Sequence, residues 1–352
     1  MLKIYIPTDL QCSVSKKLLF ILVRPFYSEN GWVIDENRII KWGIVNGAIK
    51  LVLDITSADF ILLPFSINYY YDNGLLSYLD KYNKLCEKNN IRAFAFVAGD
   101  TSQTFPEYDN LIYFRMGGFR LQLSEKNIGL PAALSDYHMI LFGSKNITLR
   151  KKNNKPIVGF CGHANSSQLK RSKESLMHII ENIKRFIKNP TRTDYETIFP
   201  SGYIRYKMLN ILEKADTIKS NFIYRKSYRA GSYSMNDRKK TTLEYYNNIR
   251  ESDYVLCLRG GGNFSRRFYE TLLMGRIPIF INTDCILPLI DQIDWKKHVV
   301  WIEWKERDRI VEIVSQFHNN LSDDAFQDLQ LSNRKLWLEK LQTCYILEHC
   351  LQ

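Results

Sequence analysis

The sequence predicts an α/β protein made of two Rossmann-like domains, and three observations carry that expectation. The chain has 352 residues, too many for one ordinary core and suited to two. Short apolar runs rich in strand formers alternate with stretches of helical spacing, the pattern of doubly wound sheets. A strand that runs into a glycine turn also occurs twice after residue 150, at 156–163 and 254–262, which marks a second α/β unit. The expected boundaries are 1–150 for the first domain, 151–322 for the second and 323–352 for a terminal helix.

Residues 3–7 (KIYIP) read as a first strand, while the apolar 18–23 fit strand or helix equally. Residues 58–64 read as a buried strand ending at Pro64, and 75–88 as a helix. Residues 93–97 form the next strand and end in Ala98-Gly99-Asp100-Thr101; 112–114 form another, before Gly117-Gly118. The Lys/Asn-rich 144–155 reads as a linker. Residues 176–187 have helical spacing, and 190–235 read as irregular. Tyr203, Tyr206, Tyr224, Tyr228 and Tyr233 lie in that irregular part among basic residues, which suits stacking on a sugar or base, or an ordinary mixed surface. Residues 242–250 lead as a helix into the next strand, and a last helical stretch runs from about 323 to 347.

The chemistry concentrates in 253–289. Tyr254 to Leu258 form an apolar run suited to a buried parallel strand. Arg259-Gly260-Gly261-Gly262-Asn263 then breaks all periodicity; glycines let a backbone turn sharply and a ligand approach closely. Ser265 is placed as an N-cap, Phe268, Leu272 and Leu273 recur at helical spacing, and Gly275 fits the position after the helix. A glycine loop feeding a helix N-terminus is an anion site, because free N–H groups and the helix dipole both favour negative charge there. Arg259, Arg266 and Arg267 add cations, and Glu270, one turn in, suits ribose hydroxyls. The plain alternative is a flexible glycine turn before a solvated Arg/Glu face. Adjacent helical residues point about 100° apart, so Arg266 and Arg267 cannot both face one phosphate.

This stretch resembles the C-terminal motif of the exostosin family of glycosyltransferases: L-x-P-R-G, S-x-R-x-Y-E-A-L, G-x-I-P-V-I and L-P. The matching residues are Leu256, Arg259, Gly260, Ser265, Arg267, Tyr269, Glu270, Leu272, Gly275, Ile277, Pro278, Ile279 and the pair Leu287-Pro288. Leu258 stands where the family often has proline, and Thr271 where alanine is usual. Residues 58–65 are similar to an A-D-x-F-x-V-P-F run of the family's N-terminal domain. Phe160-Cys161-Gly162 resembles its F-x-G motif, which an arginine follows; Arg171 is the nearest match, with Lys170 beside it. The resemblance implies the GT-B fold, two Rossmann-like domains facing across a cleft, with a sugar nucleotide held by the second and the C-terminal helix, 323–352, returning to the first. It singles out Arg267 rather than Arg266. In that reading the turn at Gly162 and His163 approaches the donor and Arg171 or Lys170 neutralises a phosphate; a tight turn and an exposed helix face are the plain alternatives.

Asp100 follows the carboxyl end of a strand, where open α/β sheets bind ligands. A carboxylate there can take the proton of an acceptor hydroxyl, or simply cap the next turn. Asp136 is a weaker rival.

Hydrophobic residues make up 45% and charged residues 24%, ordinary globular usage. The seven cysteines, from Cys12 to Cys350, contain no CxxC pair, so reduced thiols in a cytoplasmic protein are expected. No zinc spacing occurs among the cysteines and six histidines, the N-terminus lacks a signal-peptide layout, and no apolar run approaches the length of a span. The net charge of +12 has no nucleic-acid-binding motif to go with it. Lys151, Lys152 and Lys155, and Arg238-Lys239-Lys240, suit contact with the inner face of a membrane or plain solubility. The expected function is inverting transfer from a nucleoside-diphosphate sugar, UDP-linked, to a glycan or lipid-linked glycan. No metal cofactor is expected, since the chain has no Asp-x-Asp and arginines can hold the diphosphate. An epimerase on the same fold and a non-catalytic nucleotide- or glycan-binding module are the alternatives.

Overall fold

A computed structural model describes residues 1–10, 18–28, 31–32, 42–45, 47–225 and 234–349. Tyr228, Tyr233, Cys12 and Cys350 lie outside the described residues. The first domain carries β1 (Leu2–Tyr5), a short antiparallel ribbon of β2 (Tyr27–Ser28) and β3 (Gly31–Trp32), then β4 (Ile49–Val52), β5 (Phe60–Ser66), β6 (Arg92–Val97), β7 (Leu111–Arg115) and β8 (Asn127–Gly129). Its main sheet is parallel, in the order β4-β1-β5-β6-β7-β8. The second domain carries β9 (Ile157–His163), β10 (Lys219–Arg225), β11 (Tyr254–Cys257), β12 (Ile277–Asn282) and β13 (Val300–Glu303). These are also parallel, in the order β10-β9-β11-β12-β13. In both sheets the winding reverses after the first strand, so β1/β5 and β9/β11 flank the topological switch points where such sheets bind ligands.

Burial explains the strands. Every residue of β5 is buried, the continuous apolar run of a central parallel strand. Pro64 sits inside it where the pairing with β6 shifts register, a position that tolerates a missing N–H. The glycine loop's helix, Arg266–Leu273, buries Phe268, Leu272 and Leu273 against Phe280, Trp295 and Trp337. Gly275 closes it with φ +61°, the left-handed turn that glycine favours. The opposite face of that sheet packs Leu256, Ile279, Leu209, Val314 and Phe326.

Three stretches differ from the sequence reading. Residues 190–235 hold a helix, Ser201–Glu213, and strand β10. The helix buries only Gly202, Met208, Leu209 and Leu212, and β10 is an edge strand with no residue fully buried, so neither displays a clean apolar period. The final stretch divides in two: Asp323–Lys340 packs on the second domain, and only Thr343–His349 places Ile346 and Leu347 in the core of the first. The helix Tyr137–Phe142, ahead of the linker, also packs on the second domain, with Tyr137 stacked 4.7 Å from Tyr246. Two Rossmann-like domains thus face each other in the GT-B arrangement, joined by a backbone bridge between Phe119 and Cys285 and by Asn263, which donates to the Gly118 carbonyl at 3.0 Å.

Candidate active site

The carboxyl ends of β9 and β11 open into a crevice of about 750 Å³, which Asp100 of the first domain and Tyr137 also line. That size suits a small-molecule site. A second concavity of about 610 Å³ lies by Lys152, Lys155 and Lys219, at the amino ends of β9 and β10. It is at the wrong end of the sheet for the ligand position of this fold.

The glycine loop works differently from its sequence reading. None of its three glycines has a positive φ. Gly262 is required by contact, because a Cβ there would come within 2.1 Å of the Asp100 carbonyl oxygen. Gly261 has nothing within 4 Å and Gly260 only distant neighbours, so their open side faces the crevice, which both line. Arg259 is buried beneath the loop: its guanidinium donates to the carbonyls of Gly261 and Gly262 at 2.9 and 3.2 Å and pairs with Glu196 at 3.5 Å. Asn263 is fully buried, donating to the Gly118 and Thr283 carbonyls and accepting from the Thr283 hydroxyl. Both side chains therefore hold the loop's shape, and neither lines the crevice. Ser265 precedes the helix, makes no side-chain cap bond and lines the crevice.

Arg267 enters the crevice through the space that Gly162 leaves. A Cβ on Gly162 would sit 2.6 Å from its Nη2, which donates to the Cys161 carbonyl at 2.9 Å. Its guanidinium stacks 4.1 Å from the Phe160 ring centre, and its Nε is buried without a partner. Arg205, which sequence reasoning missed, stands beside it. Its two Nη atoms donate to the carbonyls of His163 and Arg259, at 3.2 and 3.0 Å, so it ties the ends of β9 and β11 together. Its Nε too is buried without a partner. Burial, with Arg267 adding to it, pushes its pKa down to about 10; Glu174 opposes. Two arginines with unmet buried donors, next to a helix N-terminus at a switch point, make a site that favours an anion.

Glu270 is buried one turn into the helix and lines the crevice. Its carboxylate accepts from the hydroxyls of Tyr245 (2.6 Å) and Tyr246 (3.4 Å) and from Nε of Arg266 (2.9 Å). Arg266 is 54% exposed, and that ion pair turns it along the crevice rim instead of leaving it free in solvent. Arg171 does not line the crevice: it is exposed, stacks on Tyr203 at 4.8 Å and donates to Gln168. Its stacking on Tyr203 turns it onto the helix Ser201–Glu213 instead of the strand end. His163 lines the crevice with its pKa lowered by burial first; Glu174 opposes, and Arg205 and Lys170 add to the lowering, so its imidazole is biased to the neutral form.

Asp100 lies against Gly262 across the domain boundary. Burial raises its carboxyl pKa and the charge of Glu196 adds to the rise, while its own backbone and Arg259 pull partly back. Nearby, the Arg185 guanidinium donates to the Ser102 hydroxyl and to the Asp194 carbonyl, and Thr104 N–H donates to the Asp194 carboxylate. This clamp fixes the loop carrying Asp100 against the second domain. Asp136 accepts both Nη groups of Arg334 and caps the helix Tyr137–Phe142, which commits it to structure.

Residues 186–317 match the Exostosin GT47 domain. Arg205, the glycine loop, Arg267 and Glu270 lie inside it, and Asp100, Gly162 and His163 outside. Among similar proteins, a "Probable glucuronosyltransferase 47 A" of Physcomitrium patens is 36% identical over 62 residues, 18% of this chain and 14% of that one. A "Probable beta-1,4-xylosyltransferase IRX10L" of Arabidopsis thaliana is 32% identical over 62 residues, 18% of this chain and 15% of that protein. The chain thus spans under a fifth of these relatives. A solved structure of an S. aureus TarM mutant with fondaparinux, alpha-GlcNAc-glycerol and UDP aligns at 13% identity and TM-score 0.38, covering 83% of this chain and 54% of that one.

Proposed function

We propose that the protein is an inverting, metal-independent glycosyltransferase. It moves a sugar from a nucleoside-diphosphate sugar, UDP-linked, to a glycan or lipid-linked glycan. The observation that carries this reading is the juxtaposition of Arg205 and Arg267, with unmet buried donors, and the Asp100 carboxylate across one crevice. In this reading the diphosphate lies on the open side of Gly260 and Gly261, against the two arginines and the helix N-terminus. Asp100 takes the acceptor hydroxyl's proton as that oxygen attacks the anomeric carbon. The sugar–phosphate bond breaks on the opposite face, and the departing charge collects at the arginines. Incubation with a panel of nucleotide sugars and oligosaccharide acceptors tests it, NMR reading the product's anomeric configuration. Inverted product is expected; hydrolysis alone, or no turnover of any pair, sinks the reading. Full activity is expected in EDTA, and loss restored by manganese or magnesium would overturn metal independence.

Glu270 is placed at the ribose in the same reading, since a carboxylate has about four acceptor sites and Tyr245, Tyr246 and Arg266 occupy three. Glu270→Ala is expected to weaken nucleotide binding by about 1–3 kcal/mol. Unchanged affinity in calorimetric titration removes Glu270 from the site.

A further inference from the structure

The helix Gln168–Lys188 is oriented against the usual rule for a surface helix, whose apolar face packs inward. Its inward side is polar. Glu174 accepts from the Gly202 N–H, Asn182 exchanges hydrogen bonds with the Glu196 backbone, and Arg185 donates to Ser102 and Asp194. Its outward side is apolar. Leu169, Leu176, Ile180, Ile183 and Ile187 recur at helical spacing along one stripe, with exposures from 43% at Ile180 to 85% at Leu169. Lys170, Lys173 and Lys184 border the stripe, all exposed, while Lys188 at its end pairs with Asp72 at 3.2 Å. A contiguous exposed apolar stripe with a charged rim marks an interaction surface.

We propose that this helix lies in the interface of an anionic membrane. Its lysine stems can extend along the apolar stripe while their ammonium groups meet lipid phosphates, the arrangement of interfacial amphipathic helices. The chain's net charge of +12 complements an anionic leaflet. A second copy fits less well, because a two-fold axis across the helix would set one lysine border against the other. The polar inward bonds hold the helix to the protein body, so it lies along the surface, and no helix among the described residues is long and apolar enough to cross a membrane. It also borders the crevice: it begins just after His163, and Glu174 binds the Gly202 backbone beside the His163 ring. Docking here does not depend on the proposed transfer; it adds that an acceptor carried on a lipid reaches the crevice along this face.

The test is co-sedimentation of the full chain with vesicles of phosphatidylcholine alone and with about 30% phosphatidylglycerol. Binding to the anionic vesicles is expected, weakening with salt. Ile180→Glu with Ile183→Glu is expected to weaken it about tenfold or more, with an unchanged circular dichroism spectrum and unchanged nucleotide binding. Wild-type protein left in the supernatant, or equal binding by the double variant, overturns the proposal. A dimer in sedimentation velocity that the double variant dissolves overturns it as well, by giving the stripe to a second copy. Vesicle binding without any sugar transfer leaves the docking standing and sinks the enzymatic reading alone.

Discussion

Asp100→Asn is expected to lower kcat by about 10²–10⁴, the range for loss of a positioned general base, with nucleotide affinity unchanged. Asparagine keeps the shape that Gly262 packs against, so the loss reports proton transfer and not a collapsed crevice. The raised carboxyl pKa supplies two further readouts. The base works ionised, so the acid limb of the wild-type kcat/KM profile should lie above the ordinary carboxylate range and vanish in the variant. Stability should move the other way. A carboxyl with a folded pKa above its unfolded value binds protons better when folded. It therefore costs no stability below the unfolded value, and progressively destabilises the fold as pH rises through the folded one. Above its raised pKa the ionised, half-buried Asp100 is thus a burden that asparagine relieves, and there Tm should rise as activity falls. A lowered Tm with a proportionate loss of activity would make Asp100 a structural residue.

The strand, loop and helix from Tyr254 to Leu273 were legible because each is local: an apolar run, a break and a helical period in direct succession. Direction of side chains was not. Arg259, Asn263 and Arg267 sit within nine residues and look alike as polar groups near a phosphate loop. The fold turns the first two under the loop to bind its carbonyls and its neighbours, and only Arg267 lines the crevice. Arg205 left no local signal, since its role depends on a helix packing near the ends of two strands distant in sequence. Tyr245 is the same case: its hydroxyl reaches Glu270 from another helix. The helix Gln168–Lys188 shows the limit most plainly. Its period is readable, but period fixes only that a stripe exists. Which way the stripe faces follows from the polar bonds of Asn182 and Arg185 to residues elsewhere. The domain pair itself was legible from alternation alone, whereas the return to the first domain falls to the short helix Thr343–His349 instead of the long one.

Arg267→Ala is expected to lower kcat by about 10²–10³, by analogy with loss of one oxyanion donor. A leaving diphosphate gains charge as the bond breaks, so an arginine aimed at it stabilises the transition state more than the bound donor, and kcat should fall further than KM rises. Arg267 has a structural duty as well, in its bond to the Cys161 carbonyl and its stacking on Phe160. Arg267→Lys separates the two. A lysine can keep the charge but not the planar stack or the second donor. If charge at the diphosphate dominates, lysine should recover a substantial part of the turnover that alanine loses, with Tm still lowered. If the stack dominates, lysine should be as inactive as alanine. Arg266→Ala provides the control on the same helix turn. Its guanidinium is half exposed at the rim, and the buried Glu270 on which it ends keeps its bonds from Tyr245 and Tyr246 in the variant. Turnover should therefore change little. A silent Arg267→Ala beside a damaging Arg266→Ala would mean that the diphosphate lies at the crevice rim, and that Arg267 serves the fold alone.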